Sequence, residues 1–421
     1  MKEHFKLEDG HLSIVGVDTV KLAEKYGTPL YVTDEKRIRE RAREFKRAFP
    51  SAELLYAAKA NWNIAILRIM AEEGFGADVF SDGELYAALL AGIQKEKILF
   101  NGNSKSPREL KMALEAGVKI SIDSEDELIA LAEMADKEIE VSFRVNPNIS
   151  VKTHPKIATG LRESKFGIPA EEVVSIYEKA MKLDNIKPIG IHCHIGSQIL
   201  DISPYRETME RMMDLVEELT EIGVDIKFVD VGGGLGISYS GEEEGERKLS
   251  DLTSLILPIF ERRCEEIGIK PILVLEPGRY LVSDSTLLLT RVNFVKRAFK
   301  NFVAVDAGFN VLIRPAMYEA YHEIAIANKM NEEVEETYTV VGPICETGDI
   351  LGRDRRLPKV KRGDLVAIFD TGAYGFSMSS QYNGRPRPAE ILVNDGENEV
   401  IRYGEEYSDL IVKMNLPARF L

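Results

Sequence analysis

The sequence contains few cysteines and no long apolar run. Its 421 residues include three cysteines, Cys193, Cys264 and Cys345, whose spacing matches neither a disulfide framework nor a metal site. No stretch approaches the ~18 apolar residues of a membrane-spanning helix. The opening segment MKEHFKLEDG also lacks the apolar stretch of a signal peptide. We therefore expect a cytoplasmic protein with no membrane partner.

Basic residues are outnumbered by acidic ones. The 54 Lys and Arg against 69 Asp and Glu leave a net charge of −15, which argues against nucleic acid as a partner because its phosphates attract cations. A hydrophobic content of 44% and a charged content of 29% are typical of a folded globular chain. The length predicts two or three domains.

Strand-like segments alternate with helical patterns between residues 54 and 276. The predicted strands are 54–57, 77–80, 98–101, 119–123, 140–145, 187–192, 227–231 and 272–276. Helical patterns fill most of the intervals, for example 64–73, 82–91, 107–116, 125–134, 171–183 and 205–222. Such alternation favours parallel strands joined by crossover helices. Eight units of this kind predict a (β/α)8 barrel of the TIM type.

Beyond about residue 280 the pattern changes to short β-type segments. Gly, Pro and Asp turns separate the segments TLLLTRVNFVKRAF, NFVAVDAG, TYTVVGP, DLVAIFDTG and EILVND. They predict an all-β barrel or sandwich domain, to which HLSIV and TPLYVTD of the opening segment are expected to add strands. The predicted organisation is an N-terminal segment at 1–35, a barrel at 36–280 and a β domain at 281–421.

Lys59 ends the apolar segment LLYAAK, where an unpaired lysine is costly to bury. It could extend from the strand end into solvent, or it could be a desolvated amine that forms a Schiff base. Active sites of such barrels lie at the carboxyl ends of the strands. The same rule selects Asp78, Arg144, His192 and His194.

Glycines mark the ends of strands seven and eight. The segments are VGGGLG, with Gly232, Gly233, Gly234 and Gly236, and EPGR, with Glu276, Pro277, Gly278 and Arg279. Loops at these two strand ends often bind phosphate in such barrels, because bare backbone N–H groups can approach an anion. A reactive lysine facing a phosphate site suggests pyridoxal 5'-phosphate, with Glu276 at the ring nitrogen. The alternative for Glu276 is an ion pair with Arg279.

His194 lies in GIHCHIGSQ and has three possible roles. A metal pair with His192 would need further ligands, and one of the two histidines could simply be core. A catalytic base and a ring lying flat on the cofactor are the other two. Ser197 could add a hydroxyl to the phosphate. We expect no metal, and these residues alone do not rank the remaining roles.

Several motifs together resemble the diaminopimelate decarboxylases, a family of pyridoxal phosphate enzymes with the alanine-racemase-like fold. They are YAAKAN, HCHIGSQ, VGGGLG, EPGR, CETGD and DTGAYGFSMSSQYNGRPRPAE. The resemblance covers nearly the whole chain. Arginine and ornithine decarboxylases share the lysine, the His-x-Gly-Ser and the EPGR segments. The stretch THPKIATGLRESKFG and the pairing of CETGD with the 374–388 segment are specific to the diaminopimelate branch.

The resemblance implies a role for each matching residue. Lys59 would carry the cofactor and His194 would stack on its ring. The phosphate and ring nitrogen would be held by Ser197, Gly234, Glu276, Pro277, Gly278 and Arg279, with Asp78 and Arg144 in support. Cys345 would be the proton donor. The unreacting end of the substrate would be bound by Arg279, Arg314, Tyr318 and Glu346, and Tyr374 would touch both substrate and cofactor.

The implied reaction is decarboxylation of meso-2,6-diaminopimelate to L-lysine, the last step of lysine biosynthesis. The implied assembly is a homodimer in which Cys345 and Glu346 of one subunit complete the site of the other. The alternatives are a decarboxylase of arginine, ornithine or carboxynorspermidine, a racemase, and a homologue that has lost catalysis. The presence of both Lys59 and Cys345 argues against the last.

Overall fold

The computed structural model describes residues 4–151, 153, 154, 157, 159, 160, 164–239 and 248–420. It divides into two compact units. The barrel unit comprises residues 39–238 and 242–281, and the β unit comprises residues 1–38, 239–241 and 282–421. Part of the segment THPKIATGLRESKFG lies outside the described residues, namely Pro155, Lys156, Ala158 and 161–163, and so does the preceding Lys152.

The strands follow one another along the whole chain. In order they are β1 (Phe5–Glu8), β2 (His11–Ile14), β3 (Val17–Asp18), β4 (Leu30–Asp34), β5 (Glu53–Ala57), β6 (Gly76–Val79), β7 (Ile98–Phe100), β8 (Lys119–Ile122), β9 (Ile139–Asn146), β10 (Ile168–Pro169), β11 (Ile186–Cys193), β12 (Phe228–Asp230), β13 (Ile272–Leu275), β14 (Thr286–Arg297), β15 (Asn301–Val305), β16 (Ile324–Ile326), β17 (Glu336–Val341), β18 (Ile350–Leu357), β19 (Leu365–Ile368), β20 (Ala389–Asn394) and β21 (Glu397–Arg402).

The helices are concentrated in the first two thirds of the chain. In order they are α1 (Thr19–Tyr26), α2 (Glu35–Ala48), α3 (Ile64–Glu72), α4 (Asp82–Leu90), α5 (Pro107–Ala116), α6 (Glu125–Met134), α7 (Val173–Ala180), α8 (Ser203–Glu221), α9 (Lys248–Ile267), α10 (Arg279–Val282), α11 (Arg314–Tyr318) and α12 (Tyr407–Ile411). None of the described helices is both long enough and apolar enough to cross a membrane.

Eight parallel strands of the barrel unit close on themselves. The ring runs β9-β11-β12-β13-β5-β6-β7-β8, and the pairing of β8 with β9 completes it. One layer of the interior is filled by apolar side chains from five of these strands: Leu55, Leu99, Ile189, Phe228 and Val274. The predicted TIM-type barrel is therefore confirmed, and each predicted strand of this region corresponds to an observed one.

Serine caps begin three of the barrel helices. The hydroxyls of Ser81, Ser106 and Ser124 each accept a hydrogen bond from the backbone N–H three residues later. Such caps satisfy N–H groups that the first helical turn leaves without partners. In helix α5 the Glu109 carboxylate also accepts the reciprocal hydrogen bond from the Ser106 N–H, and a left-handed Gly117 follows the helix end. Its predicted limits, 107–116, match the observed ones.

The β unit is built around a sheet with two apolar faces. Its main path is β18-β17-β15-β14-β4-β20-β21, with β19 and β16 joined through β14. Strand β14 contributes Leu288 to one core cluster and Leu287 and Leu289 to the other. Because alternate side chains of a strand face opposite sides, one strand serves both cores.

The opening segment contributes to the β unit in two ways. Strand β4, which contains TPLYVTD residues, lies between β14 and β20 in the main sheet. Strands β1, β2 and β3 instead form a small sheet of their own. The prediction that this segment adds strands to the β domain is confirmed for β4. Helix α1, which also lies in this segment, was not predicted, and neither was α2, which begins at its last residue.

Candidate active site

Lys59 lies just beyond the first barrel strand. Strand β5 ends at Ala57, and residues 58–60 form a single turn of 3-10 helix that carries the lysine. Its amine contacts the Asp78 carboxylate and lies 4.4 Å from the centre of the Phe80 ring. The side chain is 28% exposed. Lys59 is thus paired and accessible at the strand end rather than buried.

An amide links the partner of Lys59 to a second carboxylate. The Nδ2 atom of Asn101 donates to Asp78 Oδ1 and to Glu276 Oε1, both at 2.7 Å. All three side chains are buried. They follow or end strands of the same barrel, as Asn101 follows β7 and Glu276 follows β13. The result is a continuous polar chain from the lysine to Glu276.

The two carboxylates differ in their tendency to ionise. Burial, together with the charge of Glu276, raises the pKa of Asp78. Burial also opposes ionisation of Glu276, but the His192 ring and the cation of Lys59 hold the pKa of Glu276 well below its usual range. Environments that separate the pKa values of neighbouring carboxyl groups are typical of catalytic sites. Glu276 is the member of the pair that keeps a negative charge.

His192 lies behind Glu276 rather than at the surface of the site. Its Nδ1 is 3.1 Å from Ser121 Oγ and its Nε2 is 3.5 Å from Glu276 Oε1. A carboxylate oxygen only accepts hydrogen bonds, so the favourable tautomer carries its proton on Nε2 and accepts from the serine at Nδ1. With Asp230, these side chains place three ligand atoms within 4.8 Å of one another, a spacing that a metal ion could also use.

His194 has a different environment from His192. Its Nδ1 accepts a hydrogen bond from the Gly233 N–H at 3.2 Å. Burial and the nearby cation of Lys59 lower the pKa of His194 to about 3, so its ring is neutral near pH 7. A neutral ring whose Nδ1 is occupied by a backbone donor does not face a metal through that atom. This favours the stacking role over the metal pair with His192.

The glycine loops after strands seven and eight present backbone N–H groups. Among the described residues, none accepts a hydrogen bond from the N–H of Gly234 or of Gly278. Gly234 has φ of +104°, and a Cβ there would lie 2.3 Å from the Gly196 carbonyl oxygen. Its carbonyl accepts from Ile199 N–H at 2.9 Å, which joins the loops after strands six and seven. Unused N–H groups on adjacent loops are what an anion requires.

Two of the predicted site arginines, Arg144 and Arg279, lie in the barrel unit. Arg279 Nη2 donates to Ser197 Oγ at 3.0 Å, whereas the Glu276 carboxylate is contacted by Asn101 and His192. The ion pair between Glu276 and Arg279 that we considered is therefore not formed. Arg144 is buried, lies 4.3 Å from the Phe166 ring centre, and has no hydrogen-bond partner at Nη1 in the described part of the chain.

The β unit holds Arg314 at the start of helix α11. Its Nη1 lies 2.9 Å from His322 Nε2, and its guanidinium lies 4.6 Å from the centre of the Tyr239 ring. His322 Nδ1 is 2.8 Å from the Phe369 carbonyl oxygen. The carbonyl can only accept, so His322 is protonated on Nδ1 and accepts from Arg314 at Nε2. Both side chains are buried.

Two predicted tyrosines also belong to the β unit. Tyr318 is the last residue of helix α11 and is half-buried. Tyr374 is half-buried and has φ of +57°. A bulky side chain seldom adopts a left-handed backbone conformation, and such conformations concentrate at functional sites. The strain at Tyr374 therefore supports its selection as a site residue.

Cys345 and Glu346 are exposed in the β unit. Asn383 contacts the cysteine twice, since its Oδ1 accepts the Cys345 N–H at 3.1 Å and its Nδ2 lies 3.2 Å from the sulfur. The Tyr382 hydroxyl is 4.0 Å from the same sulfur. Contacts with Glu346 and Cys345 raise the pKa of Tyr382 to about 12.

Sequence reasoning missed several residues of these two groups. Asn101 directly follows a barrel strand, so the strand-end rule could have selected it. His192 was selected, but its contact with Glu276 required the closed barrel. Asn383 lies in a 3-10 turn within the quoted segment DTGAYGFSMSSQYNGRPRPAE but was not singled out, and no local pattern marks His322.

Comparisons with known proteins place this architecture in one family. Residues 35–283 match the family described as pyridoxal-dependent decarboxylase, pyridoxal binding domain. A diaminopimelate decarboxylase of Archaeoglobus fulgidus is 58% identical over 420 residues, which cover 99% of this chain and all of the relative. The crystal structure of diaminopimelate decarboxylase from M. jannaschii has a TM-score of 0.94 and 41% identity, and covers 100% of this chain and 99% of that one. The same values hold for its co-complex with L-lysine. The chain therefore belongs to the diaminopimelate decarboxylases, within the pyridoxal-dependent decarboxylases.

Proposed function

We propose that this chain removes one carboxyl group from meso-2,6-diaminopimelate, using pyridoxal 5'-phosphate, to give L-lysine and CO2. The observation that carries the proposal is the continuous series of polar contacts from Lys59 through Asp78 and Asn101 to Glu276. It connects an accessible amine to an ionised carboxylate inside a barrel. An aldehyde cofactor needs an amine with which to form a Schiff base. A pyridine ring that must stay protonated needs a carboxylate beside its nitrogen.

The described residues fit this cofactor. The N–H groups of Gly234 and Gly278 lack acceptors among the described residues and suit its phosphate. Arg144 has an unused, buried Nη1 that suits an anionic oxygen. His194 is neutral near pH 7 and can lie against a ring without adding charge. Ser197, Pro277 and Arg279 belong to the same loops as these groups.

Each residue has a task in the proposed mechanism. When bound, the cofactor supplies an electron-withdrawing ring that accepts the electron pair left at the substrate α-carbon by the departing CO2. Glu276 would hold a proton on the ring nitrogen through a charge-assisted hydrogen bond. Lys59 Nζ would hold the aldehyde end of the cofactor. Asp78, which contacts Lys59, would orient the lysine amine.

Residues of the β unit would act on the substrate. Cys345 Sγ would deliver a proton to the carbon that loses the carboxyl group. Arg314, with Tyr318 and Arg279, would bind the far carboxylate, and Glu346 the far ammonium, because an arginine fork matches a carboxylate in two hydrogen bonds. Tyr374 would contact substrate and cofactor. We further propose a homodimer in which Cys345 and Glu346 serve the site of the other subunit.

Selection of the substrate would rest on the far carboxylate. Arginine, ornithine and L-lysine lack that group, so a site built for it leaves buried arginines unmatched when such analogues bind. Penalties of this kind reach discrimination factors of about 10⁴. The M. jannaschii enzyme, similar over its whole length, has been crystallised with L-lysine. Both points favour diaminopimelate over the alternative amino acids.

The decisive experiment combines a spectrum with an assay. The purified protein is scanned for the absorption band of lysine-bound cofactor, and then incubated in parallel with meso-diaminopimelate, arginine, ornithine and carboxynorspermidine. We expect the band in wild type, its loss in Lys59→Ala, and L-lysine with CO2 from the first substrate only. Lys95→Ala, a change at an exposed lysine, is the control and should keep both. A band without lysine formation would refute the substrate, and no band would refute the cofactor.

A further inference from the structure

Two side chains contact the same oxygen of Glu276. Asn101 Nδ2 lies 2.7 Å from Oε1 and His192 Nε2 lies 3.5 Å from it. Among the residues that the structure describes, none donates a hydrogen bond to Oε2. The carboxylate is therefore engaged on one side only, in a buried position.

We propose that Asn101 and His192 are positioning residues that fix Glu276 through Oε1 and so present Oε2 to the ring nitrogen of the cofactor. The inference rests on the proposed function, because it assigns to Glu276 the role of partner to that ring. It adds two residues to the machinery, and neither of them touches the reacting atoms.

Asn101 is suited to this role by its chemistry. An amide NH2 has two hydrogens, and here one points to Asp78 Oδ1 and the other to Glu276 Oε1. The carboxylate that orients Lys59 and the carboxylate at the ring are thus held in one fixed relation. Two neighbouring carboxylates repel, and two donated hydrogen bonds offset part of that repulsion.

His192 is itself held in place. Ser121 Oγ lies 3.1 Å from its Nδ1, and Glu276 Oε1 lies 3.5 Å from its Nε2, a polar contact rather than a hydrogen bond, since Nε2 has no hydrogen-bond partner in the described part of the chain. The imidazole is 1% exposed, so water does not compete for this contact. Among the described residues, Asn101 is the hydrogen-bond donor to Oε1, and removing the His192 ring would take away the second polar group beside that oxygen.

The surroundings of Glu276 make these donors necessary. The titratable and charged groups that act on this cluster are Lys59, Asp78, Arg144, Cys193, His194 and Asp230. Asp78 and Asp230 oppose a negative charge on Glu276, and burial opposes it as well. A protonated Glu276 would not keep the ring nitrogen protonated. Donors at Oε1 therefore favour the ionised form on which the ring depends.

The following variants distinguish the effect of the polar contacts to Glu276 from the effect of side-chain packing. Asn101→Leu keeps the size of the side chain and removes both donated bonds, and Asn101→Ser serves where the leucine variant fails to fold. His192→Phe removes the ring donor, whereas His192→Gln restores an N–H near the place of Nε2. Ser142→Ala is the matched control, because Ser142 is fully buried in the same barrel and its hydroxyl has no described partner.

Two measurements carry the test. The first is the affinity of pyridoxal phosphate for the cofactor-stripped protein, followed by absorbance. We expect about tenfold weaker binding in Asn101→Leu, which loses a hydrogen bond to a charged group, and in His192→Phe, which loses the polar contact with that group. Values within about twofold of wild type are expected in His192→Gln and Ser142→Ala. The second measurement is the steady-state kinetics of decarboxylation. In Asn101→Leu and His192→Phe we expect kcat to fall about tenfold or more and KM to change little, because the charge on the cofactor ring acts on the chemical step.

The inference fails if Asn101→Leu and His192→Phe both retain wild-type affinity and kcat while wild type binds the cofactor and decarboxylates. That outcome differs from failure of the proposed function, in which wild type itself lacks cofactor or product. A metal ion at His192, Asp230 and Glu276 is the competing explanation. Affinity that drops with a chelator and returns with Mn²⁺ would overturn the positioning role.

Discussion

Asn383 binds Cys345 at two atoms, the backbone nitrogen through its Oδ1 at 3.1 Å and the sulfur through its Nδ2 at 3.2 Å. Asn383 adopts a left-handed conformation, with φ of +58°, in the loop that makes this contact. Asparagine tolerates such a conformation better than most residues. One amide thus fixes the backbone of the proposed proton donor and also places a donor against its sulfur.

Replacing Asn383 should make the Cys345 thiol less reactive. An N–H aimed at sulfur favours the thiolate, which is the form that reacts with alkylating reagents. Asn383→Ala removes that bond, worth about 1 kcal/mol, and should slow alkylation of Cys345 about fivefold at neutral pH. The rate of iodoacetamide incorporation gives the measurement. Cys193 and Cys264 are buried, so the fast reaction reports on Cys345.

A neighbouring variant controls for loss of any polar side chain in this loop. Gln381 is exposed and its Nε2 donates to Glu405 rather than to the cysteine. Gln381→Ala should therefore alkylate at the wild-type rate. Equal rates in Asn383→Ala and wild type would show that the amide has no influence on the sulfur.

Arg314 should determine which amino acid is accepted. Arg314→Ala removes the guanidinium proposed for the far carboxylate, and kcat/KM for meso-diaminopimelate should fall at least about 10²-fold. The preference over analogues that lack this carboxylate should disappear with it. Competition assays with paired substrates measure the preference directly.

The contact with His322 allows a second test of the same point. His322 accepts from Arg314 and is anchored to the Phe369 carbonyl, so His322→Phe should raise KM while leaving kcat nearly unchanged. Arg297→Ala is the charge control, since its ion pair with Glu336 is exposed and such pairs contribute little. Unchanged selectivity in Arg314→Ala would remove Arg314 from the substrate site.

Sequence patterns predicted the architecture better than the contacts within it. The eight strands of the closed barrel follow from apolar runs, whereas the two-residue β10 was not predicted. The strand-end rule selected Lys59 and Glu276, because both signals are local. The bond from Asn101 to Glu276 spans 175 positions in the chain and depends on closure of the ring. Helix α9 was not among the predicted helices. It contains Pro258 in its interior, and proline usually argues against a helix interior.

Glu84 should make stability depend on pH in an unusual direction. Burial raises the pKa of Glu84 to about 7, despite a hydrogen bond accepted from the Phe80 N–H at 2.8 Å. Between pH 4.5 and 7 the folded protein keeps a proton that the unfolded chain releases. The contribution of Glu84 to the free energy of unfolding is therefore present below pH 4.5 and is lost as the pH rises to 7, by at most about 3 kcal/mol.

Glu84→Gln keeps an acceptor for Phe80 and removes the titration. Denaturant unfolding at pH 4.5 and 7.5 should show a smaller loss of stability in this variant than in wild type. The control is Glu115→Gln, at a glutamate whose side chain is 68% exposed, and it should follow wild type. A loss of stability in Glu84→Gln as large as in wild type would contradict the assignment.

Gly234→Ala should weaken cofactor binding more than it weakens folding. The added Cβ would lie 2.3 Å from the Gly196 carbonyl oxygen and displace the loop whose N–H is proposed for the phosphate. Gly223 is the matched control, because its φ of +93° is similar to the +104° of Gly234 but no atom lies within 4 Å of the position that an added Cβ would take. Both alanine variants should lose about 1 kcal/mol of stability from backbone strain.

Only the Gly234 variant should also lose cofactor affinity, by about tenfold or more, as measured by titration of the stripped protein. Comparing the two variants isolates the effect of the loop, because both have a strained backbone but only Gly234→Ala displaces the loop. Equal affinities in Gly234→Ala and Gly223→Ala would show that the phosphate is held elsewhere. The unused N–H of Gly278 would then be the next group to examine, because it lies on the adjacent loop of the same barrel.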